Sequence, residues 1–253
     1  GPVSSPVLCD GDIIVIGENR RDTSSGYGYI ARVDGKTGSL VWMKNRKVMM
    51  EGRNALHRTP LVIKRSERNM ILVWGWNDVT VYDAATGENI GLYYVKSMAC
   101  TDPVASAVCD GKFVFLAGRD ECTALDLDRL EKKEDPAVWR VRLPGPGCAS
   151  PVLLDKRLFL VTEKGQAACL DAVTGAVLWR QRLRGTYYPS LISAGECVYF
   201  CNTAGRTTVV RGTGDIGIIA ENEIGERLFA SPAVADGRLF LRSEHSLWCI
   251  VRQ

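Results

Sequence analysis

The residues able to do chemistry in this chain are few and scattered. There are two histidines, His57 and His245, so a histidine-rich metal centre is excluded. The carboxylates Glu131, Glu134 and Asp135 stand together, but Lys132 and Lys133 lie between them. A run of alternating sign reads as a solvated loop rather than as a general acid and base. No Gly-x-Ser-x-Gly elbow occurs, and Gly35-Lys36-Thr37-Gly38 resembles a phosphate loop only in its composition. The nine cysteines contain no Cys-x-x-Cys pair. Cys197 and Cys201 would lie about 13 Å apart along one strand, too far to bridge. Cys122, Cys169 and Cys249 read as small buried side chains at matching positions of a repeat.

Residues suited to binding are easier to find. Arg53, Asn54, His57 and Arg58 fall in Met49–Arg58, a segment mixing Met, Arg, Asn and His that would suit either a contact surface or a plain connection. Tyr187 and Tyr188 are adjacent, and could line the axial channel or serve as an interface aromatic pair, with core packing expected for at least one of them. Glu18–Gly26 is a polar loop longer than a hairpin needs.

These residues must be positioned by strands. The chain has 253 residues, 46% hydrophobic and 24% charged, values typical of an ordinary globular fold. The net charge of +3 is small and evenly spread, which argues against nucleic acid as a partner. No apolar run approaches the roughly 18 residues of a membrane-spanning helix. The chain opens on Gly1-Pro2 without Met, as a processed or trimmed chain does.

A repeat organises the whole sequence. A short strand is followed by a Thr-Gly turn in Asp34–Gly38, Asp83–Gly87 and Asp171–Gly175, with a weaker copy at Arg211–Gly214. The Gly-to-Gly spacings are 49, 88 and 39, and the 88 is two periods with a degraded copy at Leu125–Arg129 between them. A Trp follows the turn at Trp42, Trp139 and Trp179. A Ser-Pro or Thr-Pro pair opens the unit at Ser5, Thr59, Ser150 and Ser231. Asp10-Gly11, Asp110-Gly111 and Asp236-Gly237 read as hairpin turns. Each unit is then strand, hairpin, strand, loop, strand, Thr-Gly turn, strand. In residues 144–183 the four strands are expected at Ala149–Leu154, Arg157–Thr162, Gln166–Asp171 and Ala176–Leu183. No segment keeps a helical period. Units of 40 to 45 residues with four strands predict an all-β fold, a β-propeller of antiparallel blades in a single domain over 1–253. The units are 1–46, 47–97, 98–143, 144–183, 184–224 and 225–253, with the last incomplete. An uncompleted blade leaves unpaired strand edges, which predicts dimerisation or a missing partner segment. The Asp before each turn is expected to cap it by accepting backbone N–H bonds.

The Asp-Ala-x-Thr-Gly-x-x-x-Trp string, with Ser-Pro-Val ahead of it, resembles the PQQ-like, quinoprotein-type repeat family. The closing stretch Ala230–Arg242 resembles the bacterial branch related to the outer-membrane assembly factor BamB. Relatives in that branch usually carry eight blades, so the chain is similar to their last six. The resemblance implies that the Trp after each turn packs between blades and that the protein is periplasmic or otherwise extracytoplasmic. It also implies a non-catalytic module that binds or scaffolds proteins in an envelope complex, with no cofactor. Two alternatives stay open, a dehydrogenase that uses PQQ with a calcium ion, and a small-molecule or glycan sensor domain. Against the dehydrogenase, the chain lacks the Cys-Cys dipeptide on which the family's quinone stacks.

Overall fold

The computed structural model describes residues 4–18, 27–47, 58–75, 77–95 and 104–251. Among them, 23 strands form six sheets, each an up-and-down meander in which consecutive strands lie side by side. The first sheet holds β1 (Val7–Cys9), β2 (Asp12–Glu18), β3 (Tyr27–Val33) and β4 (Leu40–Lys47). The second holds β5 (Leu61–Lys64), β6 (Asn69–Trp74), β7 (Asp78–Asp83) and β8 (Asn89–Tyr94). The third holds β9 (Val108–Cys109), β10 (Phe113–Ala117), β11 (Glu121–Asp126) and β12 (Ala137–Arg142), with a short helix α1 (Leu127–Glu131) before its last strand. The fourth holds β13 (Val152–Leu154), β14 (Arg157–Val161), β15 (Gln166–Asp171) and β16 (Val177–Arg182). The fifth holds β17 (Ile192–Ala194), β18 (Cys197–Cys201), β19 (Arg206–Arg211) and β20 (Gly217–Glu223). The sixth holds only β21 (Ala233–Ala235), β22 (Arg238–Arg242) and β23 (Leu247–Val251).

By internal contacts the chain divides into two compact units, 1–116 with 125–138, and 117–124 with 139–253. In the first unit, Ile14, Ile16 and Ile30 pack with Ile71, Val73 and Tyr82. A second cluster joins Leu72, Trp74 and Val81 to Val114, Leu125 and Leu130. In the second unit, Phe159, Val161 and Cys169 pack with Tyr187, Val198, Phe200 and Val210. Strands β6 and β14 are buried on both faces, and so read as continuous apolar runs. Of the fourth strands, β4, β12, β16 and β20 carry charges.

The repeated residues have repeated roles. Asp34, Asp83 and Asp171 each accept two backbone N–H bonds, from the residues two and three ahead, and the hydroxyl of the turn Thr. The turn glycines Gly87 and Gly175 have φ of 71° and 76°. A Cβ there would also come within 2.7 Å of the Trp42 ring and 2.8 Å of the Trp139 ring. Each of those indoles donates to a carbonyl beside the neighbouring turn, Trp42 Nε1 to Ala84 O at 3.2 Å and Trp139 Nε1 to Ala172 O at 3.0 Å. The Trp therefore locks one sheet onto the turn of the next. The opening Ser does the same at the other end of the sheet. Thr59 N–H donates to Ser106 Oγ, Ser150 N–H to Ser190 Oγ, and Ser190 N–H to Ser231 Oγ, at 3.0–3.1 Å.

Two expectations need correction. The degraded turn at Leu125–Arg129 leads into a helix that the sequence pattern did not predict, while Lys132–Asp135 are exposed, as a solvated loop should be. Asp126 accepts from the N–H groups of Asp128 and Arg129 and so caps α1, whose Leu127 and Leu130 are buried. Cys122 does not match Cys169. Leu127 N–H donates to Lys112 O as Ala172 N–H does to Lys156 O, which aligns Asp126 with Asp171 and Cys122 with Ala167. The slip of two residues keeps both thiols on the same face of their strands, and both are buried. Cys249 does match Cys169, facing Phe240 as Cys169 faces Phe159, but it is exposed.

Candidate functional site

The lead-in to the fifth sheet, Thr186-Tyr187-Tyr188-Pro189, turns its two tyrosines in opposite directions. Tyr187 is fully buried against Phe159, Leu183 and Phe200, and its hydroxyl donates to Arg184 O at 3.2 Å. Burial pushes its phenol pKa up. Tyr188 is 38% exposed and donates its hydroxyl to Glu163 Oε1 at 2.7 Å, on the loop between β14 and β15. Accepting that bond, the Glu163 carboxylate raises the Tyr188 phenol pKa, and its charge adds to the effect.

Tyr188 does not stand alone. Its ring stacks on Phe229, with centroids 6.4 Å apart and planes at 28°. Phe229 is 50% exposed, and the Arg227 guanidinium lies 4.9 Å from its ring centroid. Glu163, Tyr188, Arg227 and Phe229 form an exposed aromatic platform with one charge of each sign, all within the second unit. Phe229 was legible in the repeat. Leu228-Phe229-Ala230-Ser231 aligns with Tyr187-Tyr188-Pro189-Ser190, and in both the first residue is buried and the second exposed.

The platform presents two aromatic rings, one guanidinium and one carboxylate. The Cys148 thiol has its pKa raised by burial and by the Glu163 charge. Cys122 and Cys169 are pushed by burial to about 12. Among the described residues no three His, Cys, Asp or Glu side chains gather as a metal site.

The other binding candidates lie apart. Arg53, Asn54 and His57, residues 19–26 of the polar loop, and Cys100 are outside the described residues. Arg58 is buried in the first unit, with its guanidinium 3.8 Å over the Trp74 ring and Nη1 donating to the carbonyls of Trp74 and Gly75. Glu131 pairs with Arg65 at 3.3 Å and with Arg68, while Asp128 pairs with Arg65 at 2.5 Å, so these carboxylates tie α1 to the β5–β6 hairpin. A cleft of about 340 Å³ beside β15 and β16 is lined by Leu143, Pro144, Ala167 and Arg182. No helix among the described residues is long and apolar enough to cross a membrane.

Meandering four-stranded sheets locked by Asp-turn, Trp and Ser contacts define a β-propeller of PQQ-like repeats. The chain belongs to the family described as outer membrane protein assembly factor BamB, whose model matches residues 75–252. The crystal structure of BamB from Moraxella catarrhalis is similar at TM-score 0.54 and 17% identity, over 96% of this chain and 82% of that one. A quinohemoprotein alcohol dehydrogenase from Comamonas testosteroni is similar at TM-score 0.63 and 12% identity, over 95% of this chain and 51% of that one. The computationally designed Ika8 protein is similar at TM-score 0.68 and 11% identity, over 98% of this chain and 71% of that one. Identities this low carry the fold and nothing finer. No curated protein matches the sequence.

Proposed function

We propose that the chain, taken as one propeller domain over 1–253, is a non-catalytic module that binds a protein and scaffolds an extracytoplasmic envelope complex. The observation that carries this reading is the exposed Tyr188–Phe229 stack flanked by Arg227 and Glu163. Aromatic and Arg side chains presented together supply large contact area at small entropic cost, which is the composition of interface hot spots. Membership of a family described by outer-membrane assembly supports the envelope setting. Self-association through unpaired strand edges belongs to the same reading.

The test is affinity capture from an envelope extract with the chain and with Tyr188→Ala/Phe229→Ala. A specific partner is expected, with affinity reduced about tenfold or more in the variant. Equal capture by both proteins would remove the platform from the reading. Alcohol-dependent dye reduction after addition of PQQ and calcium would replace it with the enzyme.

A further inference from the structure

At the cleft beside β15 and β16 the repeat departs from itself. In the second, fourth and fifth sheets, the first and third residues of the third strand face the last and third-from-last residues of the fourth. In the second sheet these are Asp78, opposite Tyr94, and Thr80, opposite Leu92. Arg46 lies 3.5 Å from the Asp78 carboxylate, and Thr80 Oγ1 donates to it at 2.9 Å. In the fifth sheet they are Arg206, opposite Glu223, and Thr208, opposite Glu221. Arg206 pairs with Glu221 at 3.4 Å and with Glu223, and Thr208 Oγ1 donates to Glu221 at 3.3 Å. The chain thus closes this place twice with a guanidinium, a carboxylate and a threonine hydroxyl. The first sheet has no charge there, with Tyr29 opposite Asn45 and Ala31 opposite Met43.

The fourth sheet has the cations and not their counter-charge. Gln166 stands opposite Arg182, and Ala168 opposite Arg180. Leu143 follows Trp139 by four residues, as Arg46 follows Trp42. Both arginines are exposed, and among the described residues no carboxylate pairs with either. Two residues apart on one strand, they leave the same face of the sheet with Cα atoms about 7 Å apart. Two like charges so placed repel, and an anion between them relieves both. Ala168 is smaller than the Thr of the other two sheets and leaves space beside the arginines. Leu143, Ala167 and Ala168 are buried and give the cleft apolar walls. Its volume, about 340 Å³, falls within the range of small-molecule sites.

We propose that this cleft binds a small molecule carrying one carboxylate on an apolar body. The carboxylate supplies to Arg180 and Arg182 what Asp78 supplies to Arg46, and what Glu221 and Glu223 supply to Arg206. A guanidinium fork matches a carboxylate in bidentate geometry. The apolar body lies against Leu143 and Ala168, where the surface it removes from water adds to binding. The cleft shares no residue with the Tyr188–Phe229 platform, so this site stands or falls apart from the protein-binding reading.

The probe is decanoate below its micelle concentration, titrated into the whole chain by calorimetry and followed by alanine-methyl NMR. Saturable binding is expected, with shifts at the Ala167 and Ala168 methyls. Decanol has the body without the charge and acetate the charge without the body, and each should bind about tenfold or more weakly. Arg180→Gln/Arg182→Gln should weaken decanoate about tenfold or more, with an unchanged melting curve because both side chains are exposed. Gln166→Glu sets a carboxylate of the chain opposite Arg182, as Glu223 stands opposite Arg206, and should also weaken decanoate without lowering the melting temperature. Absence of saturable decanoate binding overturns the proposal. So does decanoate binding that neither variant weakens, decanol or acetate binding as tightly as decanoate, or shifts confined to other alanines. A polyglutamate peptide that moves the same two methyls at lower concentration than decanoate overturns it in favour of an acidic macromolecule.

Discussion

Arg46 follows Trp42 by four residues, as Leu143 follows Trp139 and Leu183 follows Trp179. The two leucines are core residues, and Arg46 is 4% exposed in the same place. Its Nη2 lies 3.5 Å from Asp78 Oδ2 and its Nε donates to Tyr82 Oη at 3.2 Å. Asp78 also accepts from Thr80 Oγ1. Burial raises the Tyr82 phenol pKa, and the nearby Arg46 charge opposes that rise without cancelling it. A buried ion pair adds little over an apolar pair, but half of one is costly. Arg46→Ala should destabilise the fold by about 3 kcal/mol, read by urea unfolding, because Asp78 is left buried without its counter-charge. The repeat shows that the position is internal. It does not show that an arginine is tolerated there, because the compensating Asp78 and Tyr82 belong to the next sheet.

At the scale of elements, the turn chemistry was the most legible part of the chain. β15 is Gln166–Asp171, as the alternation predicts, and β14 ends one residue early. β13 is Val152–Leu154, because Ala149 and Ser150 serve the inter-sheet contact rather than the ladder. The Asp171 turn offers a test. Its carboxylate pKa is lowered first by the Thr174 N–H and hydroxyl that it accepts, and also by the Val173 N–H. A depressed folded pKa stabilises the fold above the unfolded value, near pH 4, and that stabilisation is lost as pH falls through the folded value. Asp171→Ala should cost about 1 kcal/mol at neutral pH, as loss of a comparable cap does. The gap between wild type and variant in urea midpoint should narrow as the pH drops below about 4. The helix α1 was missed although its signals are local. Asp126 is a good N-cap, and Leu127 and Leu130 share a face at i, i+3. Five residues are too few to show a period.

At the scale of the molecule, the sheets are joined by bonds between positions about one repeat apart. Ser150 N–H to Ser190 Oγ and Ser190 N–H to Ser231 Oγ span separations of 40 and 41 residues. Ser190→Ala leaves the Ser150 N–H without its acceptor and should cost about 1–2 kcal/mol, measurable as a lowered denaturant midpoint at unchanged slope. Ser190→Thr keeps the hydroxyl, and Thr59 already stands at this place in the second sheet. Partner capture belongs to the same scale, since Tyr188 meets Phe229 from 41 residues away.

By itself the sequence determined the repeat, the sheet-forming alternation and the Asp-Thr-Gly turns, because each depends on residues within a few positions of one another. It also marked the Trp and Ser positions, since recurrence exposes a role even before the partner is known. The tertiary structure decided which of two adjacent tyrosines faces water, and that Arg46 and Arg58 are internal. It also decided that Glu131 answers Arg65 from 66 residues away. Those outcomes depend on what the neighbouring sheet presents at each point, and a one-dimensional pattern fixes the side a residue faces but not what it meets there.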